Sequence, residues 1–415
     1  MKQYPPVSFF VLLFAVVGVA SCADRHHHRI AFASNVSGDE LVQPALVTPR
    51  GGGSSARPTS DGRIVLVTID GVRAEDIFDG ADPDLRPGAH VEPFRKPEAV
   101  MPRTHRLVET RGVALGADRP GCGVVRTASG ANVSLPGYLE IFTGRTTHCR
   151  DNRCARTELP TFLDEAAEAG LSPIASIGSW EVLDRAASRT SPSRAQVLVA
   201  EGAQSWPGPR PLLSPKLEAL VAAGEHIEAF PGVGHYRPDA STMDIALEYL
   251  RTEAPPVFHV GLGDPDEYGH RNDYAAYLSA IASADAFIGR VADTLEDMGE
   301  IGARTTVIVT TDHGRNKDFQ HHGAFSLTSA RTFVIAFGAR LPPRGVVCPS
   351  RDVTLADIAP TIRVLVGLPA DTSPDSGRPI EPIVGAPGGD ERTSRAGGAS
   401  YFGGAAGSAG GAQRP

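Results

Sequence analysis

The sequence lacks the excess of positive charge that nucleic-acid-binding proteins carry, because its formal net charge is −8 over 415 residues. A nucleic-acid-binding surface is therefore not expected. The five cysteines include no CxxC pair, which argues against a cysteine-based metal site. Internal repeats are also absent. Apolar residues make up 41% of the chain, enough for a large core, and the length suits one large domain or two modest ones.

The apolar run at the amino end is too short to cross a membrane. It extends from Val7 to Val19, about 13 residues where a transmembrane helix needs about 20, and it follows Lys2. This is the length of a signal-peptide core. The ending Val19-Ala20-Ser21-Cys22 resembles the bacterial lipobox, in which the Cys becomes the lipidated first residue; ordinary secretory cleavage is the alternative. We therefore expect an exported protein, either an outer-membrane lipoprotein attached through Cys22 or a periplasmic protein.

Four cysteines remain after the lipobox, and an even number in an exported chain suggests disulfides. Cys149 and Cys154 are close enough in sequence to close a small loop. That pairing would leave Cys122 for Cys348. The sequence alone leaves the connectivity open.

Composition divides the chain into four parts. Residues 1–22 form the expected signal peptide with its lipobox Cys, and residues 23–60, rich in Gly, Ser, Pro and Arg, predict a flexible tether. Residues 61–372 form the expected catalytic domain. Residues 373–415 form a low-complexity tail that we expect to be disordered.

Between the tether and the tail the pattern is α/β. Continuous apolar-rich runs, as buried parallel strands need, occupy residues 64–69, 257–262, 305–310 and 332–337. Apolar residues at three- and four-residue spacings predict helices over residues 159–169, 239–251, 273–298 and 354–366. We therefore expect a mainly parallel central sheet with helices on both faces.

Three of these strands end in clusters of Asp and His. The clusters are 69–71, 263–270 and 311–314, with His321 and His322 following shortly after the third. Because the carboxyl ends of parallel strands face the ligand crevice of an open sheet, the clusters can converge. Grouped carboxylates repel one another unless a cation compensates them. Mixed Asp and His ligation suits Zn first, with Mn as the alternative, and the count suffices for two divalent ions.

Each cluster taken alone has a simpler interpretation. Asp70-Gly71 after a strand is commonly a turn, and Asp312-His313-Gly314 suits a helix cap with a neighbouring surface His. The spacing from Asp266 to His270 puts both on one helical face, which also occurs by chance. Their joint occurrence at three predicted strand ends favours the metal interpretation.

Ser134 is the candidate nucleophile. Pro136 suits the first turn of a helix, which places Ser134 near the helix N-cap. A helix N-terminus stabilises an alkoxide and an incoming phosphate. A capping serine without any chemical role fits the same position.

Together these residues resemble the alkaline phosphatase superfamily, close to its nucleotide pyrophosphatase/phosphodiesterase and cofactor-independent phosphoglycerate mutase branches. The matching segments, in the family's order, are 134–138, 143–144, 264–270, 311–314 and 357–369. The resemblance covers roughly residues 62–370. Tyr138 occupies the position where sulfatases of the superfamily have Arg, which disfavours sulfatase activity.

The resemblance implies an alkaline-phosphatase-like fold and a set of site residues. One metal would be held by Asp70, Ser134, Asp312 and His313. The other would be held by Asp266, His270 and a late His, for which His322 is preferred and His321 is the alternative. Asn152 would correspond to the Asn that steadies the transferred phosphoryl group in several members.

We therefore expect a metal-dependent hydrolase of small-molecule phosphate mono- or diesters. Ser134 would attack phosphorus to give a phosphoserine, which water would then hydrolyse. Two alternatives remain open: a phosphomutase or other phosphotransferase of the same superfamily, and a non-catalytic surface binding protein on this scaffold.

Overall fold

The predicted α/β class with a mostly parallel central sheet is confirmed. The computed structural model describes residues 60–85, 92–190, 197–202 and 213–385, all within one compact unit. The expected signal peptide, Cys22 and nearly all of the tether lie outside the described residues, as does the tail beyond Gly385. Within the described ranges, no helix is both long and apolar enough to cross a membrane.

Eight strands form the central sheet, and two short strands pair separately. The strands are β1 Arg63–Ile69, β2 Gly112–Leu115, β3 Val125–Arg126, β4 Ile174–Gly178, β5 Val197–Glu201, β6 Val257–Leu262, β7 Thr305–Thr310, β8 Val334–Gly338, β9 Gly345–Val346 and β10 Val353–Thr354. The order in the central sheet is β5-β4-β6-β1-β7-β8-β2-β9, and β3 pairs with β10. Only β8 runs antiparallel to its neighbours among these described strands.

Helices cover both faces of the sheet. They are α1 Ala74–Phe78, α2 Pro97–Val100, α3 Pro102–Arg111, α4 Ser134–Thr143, α5 Phe162–Glu168, α6 Asp184–Ala187, α7 Pro215–Glu225, α8 Asp239–Glu253, α9 Asp264–His270, α10 Tyr274–Asp297, α11 Glu300–Ala303, α12 Leu327–Ala330, α13 Ile358–Val366 and α14 Glu381–Val384. The four helices predicted from apolar spacing correspond to α5, α8, α10 and α13, with small shifts at their ends. A 3₁₀ turn, Leu355–Asp357, supplies the beginning of the last of these predictions.

Alternate residues of β1 face two separate apolar layers, as the pleat of a strand requires. Val65, Val67 and Ile69 pack in the layer that includes α8 and α10. Ile64 and Leu66 pack in the layer that includes α4, α5 and α13. Both faces of the central strands are therefore buried, which explains their continuous apolar sequence.

The three strands that carry the polar clusters are direct neighbours in the sheet. β1 pairs in parallel with β6 on one side and with β7 on the other. In this register Ile69 pairs with Leu262, and Thr68 pairs with Thr310. The residues that follow each strand therefore emerge at the same edge of the sheet.

The described chain remains folded beyond the expected domain end at residue 372. Ser376 forms an isolated bridge with Arg145, and the Gly377 amide donates to the Gly144 carbonyl over 2.8 Å. Helix α14 follows, with Ile383 buried. Residues 373–385, assigned from the sequence to a disordered tail, thus pack against the domain.

Two disulfides join the four remaining cysteines. They link Cys122 to Cys348 and Cys149 to Cys154. These are the pairs that the short Cys149–Cys154 spacing suggested. The first joins segments 226 residues apart, and the second closes the loop that carries Asn152.

Candidate metal centre

Side chains that follow β1 and β7 form the first of two groups of Asp and His. Asp70, Asp312 and His313 are buried, and their ligand atoms lie within 4.8 Å of one another. The Gly71 amide donates to Asp312 Oδ1 over 3.1 Å, which ties the two strand ends together. Among the described residues, the buried Asp312 Oδ2 has no hydrogen-bond partner. A buried carboxylate oxygen without a donor calls for an explanation, and a bound cation is one.

His313 presents one ring nitrogen to this group. Its Nδ1 donates to the Gly314 carbonyl over 2.9 Å. Because a neutral imidazole carries one N–H, Nε2 is left with a lone pair, and it lies 3.4 Å from Asp70 Oδ1 and from Asp312 Oδ2. Burial lowers the pKa of His313 to about 4, so the ring is neutral near pH 7. This is how a metal-binding His is usually oriented.

Ser134 points its hydroxyl into the same group. It is the first residue of α4, directly after the N-cap residue Val133 and so near the N-cap as predicted. Ser134 Oγ lies 3.3 Å from Asp70 Oδ1 and 3.2 Å from His313 Nε2. Val133, the N-cap residue, makes no side-chain capping bond. Because Ser134 follows the N-cap position, it is not the capping residue of α4.

Asp266, His270 and His322 form the second group, again with ligand atoms within 4.8 Å of one another. Asp266 and His270 lie one turn apart on α9, with Oδ2 and Nε2 separated by 3.0 Å. His322 Nε2 lies 3.1 Å from His270 Nε2 and 3.9 Å from Asp266 Oδ1. The two groups adjoin, because the rings of His313 and His322 stack with centroids 3.9 Å apart.

The structure brings His322 into the second group and leaves its neighbour His321 outside. His321 is exposed, and its Nδ1 lies 3.0 Å from Asp318 Oδ2. His322 Nδ1 instead donates to the Asn132 carbonyl over 2.9 Å, which leaves Nε2 to face His270. Burial lowers the pKa of His322 to about 3, so this ring is also neutral.

The carboxylates of the centre are in an unfavourable field without added positive charge. Burial raises the pKa of Asp70 well above its ordinary value, and the charges of Asp312 and Asp266 raise it further. Burial also raises the pKa of Asp312 to about 7. A divalent cation would reverse both shifts, because it favours the ionised carboxylate. The carboxylate and imidazole donors fit Zn and also Mn.

Arg315 is a charged residue of the centre that sequence reasoning missed. Its buried guanidinium contacts Asp266 Oδ1 and donates to the carbonyls of Phe319 and Gln320. Burial alone would raise the pKa of Asp266, but Arg315, with His322 and then His270, holds it well below its ordinary value. The available signal was its place directly after Asp-His-Gly.

Two further side chains border Ser134. The buried Tyr138 hydroxyl donates to Asp70 Oδ2 over 3.2 Å. Asn152 Oδ1 accepts from the Leu135 amide over 2.9 Å, so the side chain lies at the amino end of α4. The candidate phosphoryl-binding residue is thus placed next to the candidate nucleophile.

Two glycines allow the segments to approach this closely. A Cβ at Gly137 would lie 2.3 Å from the Asp312 carbonyl oxygen. A Cβ at Gly71 would lie 2.2 Å from Asp266 Oδ1, and Gly71 also has a φ of +66°. Any larger residue at either position would push the groups apart.

The fold is similar to that of several solved structures. The chain is similar to a candidate sulfatase from Bacteroides thetaiotaomicron VPI-5482, with TM-score 0.54, 13% identity, and coverage of 79% of this chain and 75% of that chain. It is also similar to the phosphonate monoester hydrolase of Agrobacterium radiobacter, with TM-score 0.50, 16% identity, and coverage of 79% and 78%. At these identities the likeness shows the fold alone.

A protein-family model matches the carboxyl-terminal part of the described chain. Residues 224–370 match the family described as the Metalloenzyme superfamily, and this range includes both the α9 cluster and the Asp-His-Gly segment. Over these residues the chain is similar to the metalloenzymes of the alkaline phosphatase superfamily. The resemblance predicted from the sequence motifs is therefore confirmed.

Sequence relatives in this superfamily cover a smaller part of the chain. The chain is 31% identical over 132 residues to the 2,3-bisphosphoglycerate-independent phosphoglycerate mutase of Haloarcula marismortui, covering 30% of this chain and 23% of that protein. It spans about a quarter of the length of the curated relatives that it matches. The mutase reaction is a property of those enzymes, of which this chain matches only a part.

Proposed function

We propose that this metalloenzyme hydrolyses phosphate esters of small molecules, with Ser134 as the nucleophile. The observation that supports this most is the position of Ser134 Oγ. It lies 3.3 Å from Asp70 Oδ1 and 3.2 Å from His313 Nε2, at the amino end of a helix. A serine in that setting is placed for attack on phosphorus, because the helix end and the adjoining cation site both stabilise an alkoxide.

Two divalent cations, Zn first and Mn as the alternative, would supply Lewis-acid stabilisation of charge on the phosphate oxygens. One would be held by Asp70, Ser134, Asp312 and His313. The other would be held by Asp266, His270 and His322. The unpartnered Asp312 Oδ2 and the lone pairs of two His Nε2 atoms are the features of the chain that fit this assignment.

In this proposal Ser134 Oγ attacks phosphorus and loses its proton. The bond from phosphorus to the leaving oxygen breaks, that oxygen takes up a proton, and a phosphoserine forms. Water then attacks the same phosphorus, releases inorganic phosphate and restores the Ser134 hydroxyl. Asn152, whose Oδ1 is fixed by the Leu135 amide, would direct its Nδ2 group to a phosphoryl oxygen.

Export is part of the same proposal. Disulfides persist in oxidising compartments, and the described chain holds two of them. Together with the expected signal peptide, they support a periplasmic location or outer-membrane attachment through a lipidated Cys22. Labelling with a palmitate analogue, with Cys22→Ser as the control, would test the attachment.

The direct test compares Ser134→Ala with Ser279→Ala, a hydroxyl deletion on the exposed surface of α10. Both proteins are assayed with Zn or Mn on a chromogenic phosphomonoester and a phosphodiester side by side. Ser134→Ala should lose at least about 10³-fold in turnover while retaining metal, since removing a nucleophile removes the covalent path. Full activity of metal-replete Ser134→Ala would exclude Ser134 as the nucleophile.

A phosphomutase or phosphotransferase is the second candidate, favoured by the mutase relatives over about 130 residues. Such an enzyme would return the phosphoryl group to an acceptor alcohol rather than to water. Measuring inorganic phosphate against transfer to glycerol or a phosphosugar separates the two reactions. Bound metal with neither hydrolysis nor transfer would favour a non-catalytic binding protein instead.

A further inference from the structure

Asn132 connects the nucleophile segment to the segment that carries His322. It lies two residues before Ser134 and is only 3% exposed. Its Nδ2 donates to the carbonyl oxygens of Gly323 over 2.9 Å and Ser326 over 3.1 Å. Its own backbone carbonyl accepts the His322 Nδ1 proton over 2.9 Å. One residue therefore contacts the segment both at that ligand candidate and at two positions that follow it.

The backbone of Asn132 has a φ of +52°, in the left-handed region. Few residues other than Gly adopt this conformation, and Asn is among those that tolerate it best. The Thr127 hydroxyl donates to Asn132 Oδ1 over 2.6 Å, so both ends of the carboxamide are engaged. These contacts fix the side chain and, with it, an uncommon turn of the backbone next to the nucleophile.

That turn decides where two functional atoms lie. It directs the Asn132 carbonyl to His322 Nδ1, which keeps the proton on Nδ1 and leaves Nε2 as the donor atom. It also sets the path of the chain through Val133 to Ser134. A different conformation at Asn132 would displace Ser134 and rotate His322 at the same time.

We propose that Asn132 is a positioning residue that holds Ser134 and His322 at a fixed separation and orients His322 for the second metal. The inference rests on the proposed two-metal function. Contacts of this kind, one step outside the ligands, commonly change metal affinity or activity by about 10- to 100-fold when removed.

The alternative is that Asn132 only stabilises the loops that it joins. In that case removing its side chain would lower thermal stability but leave the affinities for both metal ions unchanged. Ser329 offers the matched control, since it is also fully buried in this region and its hydroxyl bonds to Asn316 without contacting a ligand candidate. Ser329→Ala removes one buried hydrogen bond and no contact to the centre.

The experiment measures Zn stoichiometry and both Zn affinities, by competition with a chromophoric chelator, in the full chain. The variants are Asn132→Gly, which keeps the φ > 0 conformation accessible, Asn132→Ala, which does not, and Ser329→Ala. We expect both Asn132 variants to lose about 10- to 100-fold in affinity for one of the two ions, Ala more than Gly. Ser329→Ala should bind both ions like the wild type.

Wild-type affinities for both ions in Asn132→Gly and Asn132→Ala would overturn the inference, as would an equal loss in Ser329→Ala. If both Asn132 variants fail to fold, Thr127→Val tests the same point, since it removes only the hydroxyl that bonds Asn132 Oδ1. A selective loss of affinity for one ion supports the inference, and unchanged affinity for both ions overturns it. A wild-type chain that binds no Zn or Mn would contradict the proposed function itself and the inference with it.

Discussion

His270 and His322 direct their Nε2 atoms at each other across 3.1 Å. Because His322 donates its Nδ1 proton to a backbone carbonyl, its Nε2 carries only a lone pair. Two ring nitrogens at this separation need a proton or a cation between them. Asp266 Oδ2, 3.0 Å from His270 Nε2, adds the negative charge that favours a cation there.

The adjacent histidines give a clean test of the second group. His322→Ala should lose tight binding of one of the two metal equivalents, because it removes a proposed ligand. His321→Ala should keep both, because that ring is exposed and lies next to Asp318. Elemental analysis after dialysis measures the content. Depletion in His321→Ala with full content in His322→Ala would reverse the assignment.

The convergence of the metal-ligand candidates could be predicted because it depends on strand ends. Asp70 comes one residue and Asp312 two residues after runs that only a buried strand explains, and parallel neighbours must place their carboxyl ends together. The closeness of Asp266 and His270 on α9 follows from their four-residue spacing, which puts both side chains on the same face of the helix. None of these inferences needed the path of a loop.

What could not be predicted depends on contacts between segments far apart in sequence. The pairing of Arg315 with Asp266 and of Asn132 with the Gly323 carbonyl follows from loop paths that no local pattern fixes. The direction of β8 was also hidden, because an apolar run reads the same whether a strand is parallel or antiparallel. Residues 373–385 look like a tail by composition, yet the bridge between Arg145 and Ser376 holds them in place.

Glu201 should make folding stability depend on pH. Ser176 Oγ donates to Glu201 Oε1 over 2.6 Å, and His259 Nδ1 lies 2.7 Å from the same hydroxyl, all of them buried. Burial raises the pKa of Glu201 from 4.5 to about 8. Because the folded value is the higher one, the stabilisation is complete below about pH 4.5 and is lost as the pH rises through about 8.

Glu201→Gln should remove this dependence, since the amide does not titrate and fills the same space. The unfolding free energy of the wild type, relative to the variant, should fall by a few kcal/mol (order of magnitude) between pH 5 and pH 8. Urea denaturation at several pH values measures it. Parallel pH profiles for the two proteins would show that Glu201 does not titrate in this way.

The two disulfides should differ in their effect on stability. Cys122–Cys348 closes a loop of 226 residues, whereas Cys149–Cys154 spans only five. Because a longer loop restricts the unfolded chain more, Cys122→Ser with Cys348→Ser should lower the unfolding free energy by about 2–4 kcal/mol. The double Ser variant of the short loop is the matched comparison, with a smaller loss expected. Equal losses would contradict the chain-entropy explanation.

Phe319 and Phe325 both have backbone conformations in the left-handed region, with φ of +65° and +69°. Phe319 is buried and packs edge-to-face on Tyr274 and Tyr277, with ring centroids 4.9 and 5.0 Å apart. Phe325 is fully exposed, three residues after His322. Their backbone strain is therefore alike while their packing is opposite.

Replacing each with Gly should separate these contributions. Phe319→Gly relieves the backbone but removes a buried ring, so it should destabilise by about 3–5 kcal/mol. Phe325→Gly relieves similar backbone strain, which stabilises the folded state, and loses no buried area. The greater freedom of Gly in the unfolded chain lowers stability by about 0.4–1 kcal/mol, so the net change should be less than about 1 kcal/mol. Urea denaturation measures both. Neither packing nor backbone preference favours Phe at position 325, so a neutral result would mean that folding does not require this ring. A loss of stability as large as that of Phe319→Gly would contradict the expectation, because a fully exposed ring has no buried contact to lose.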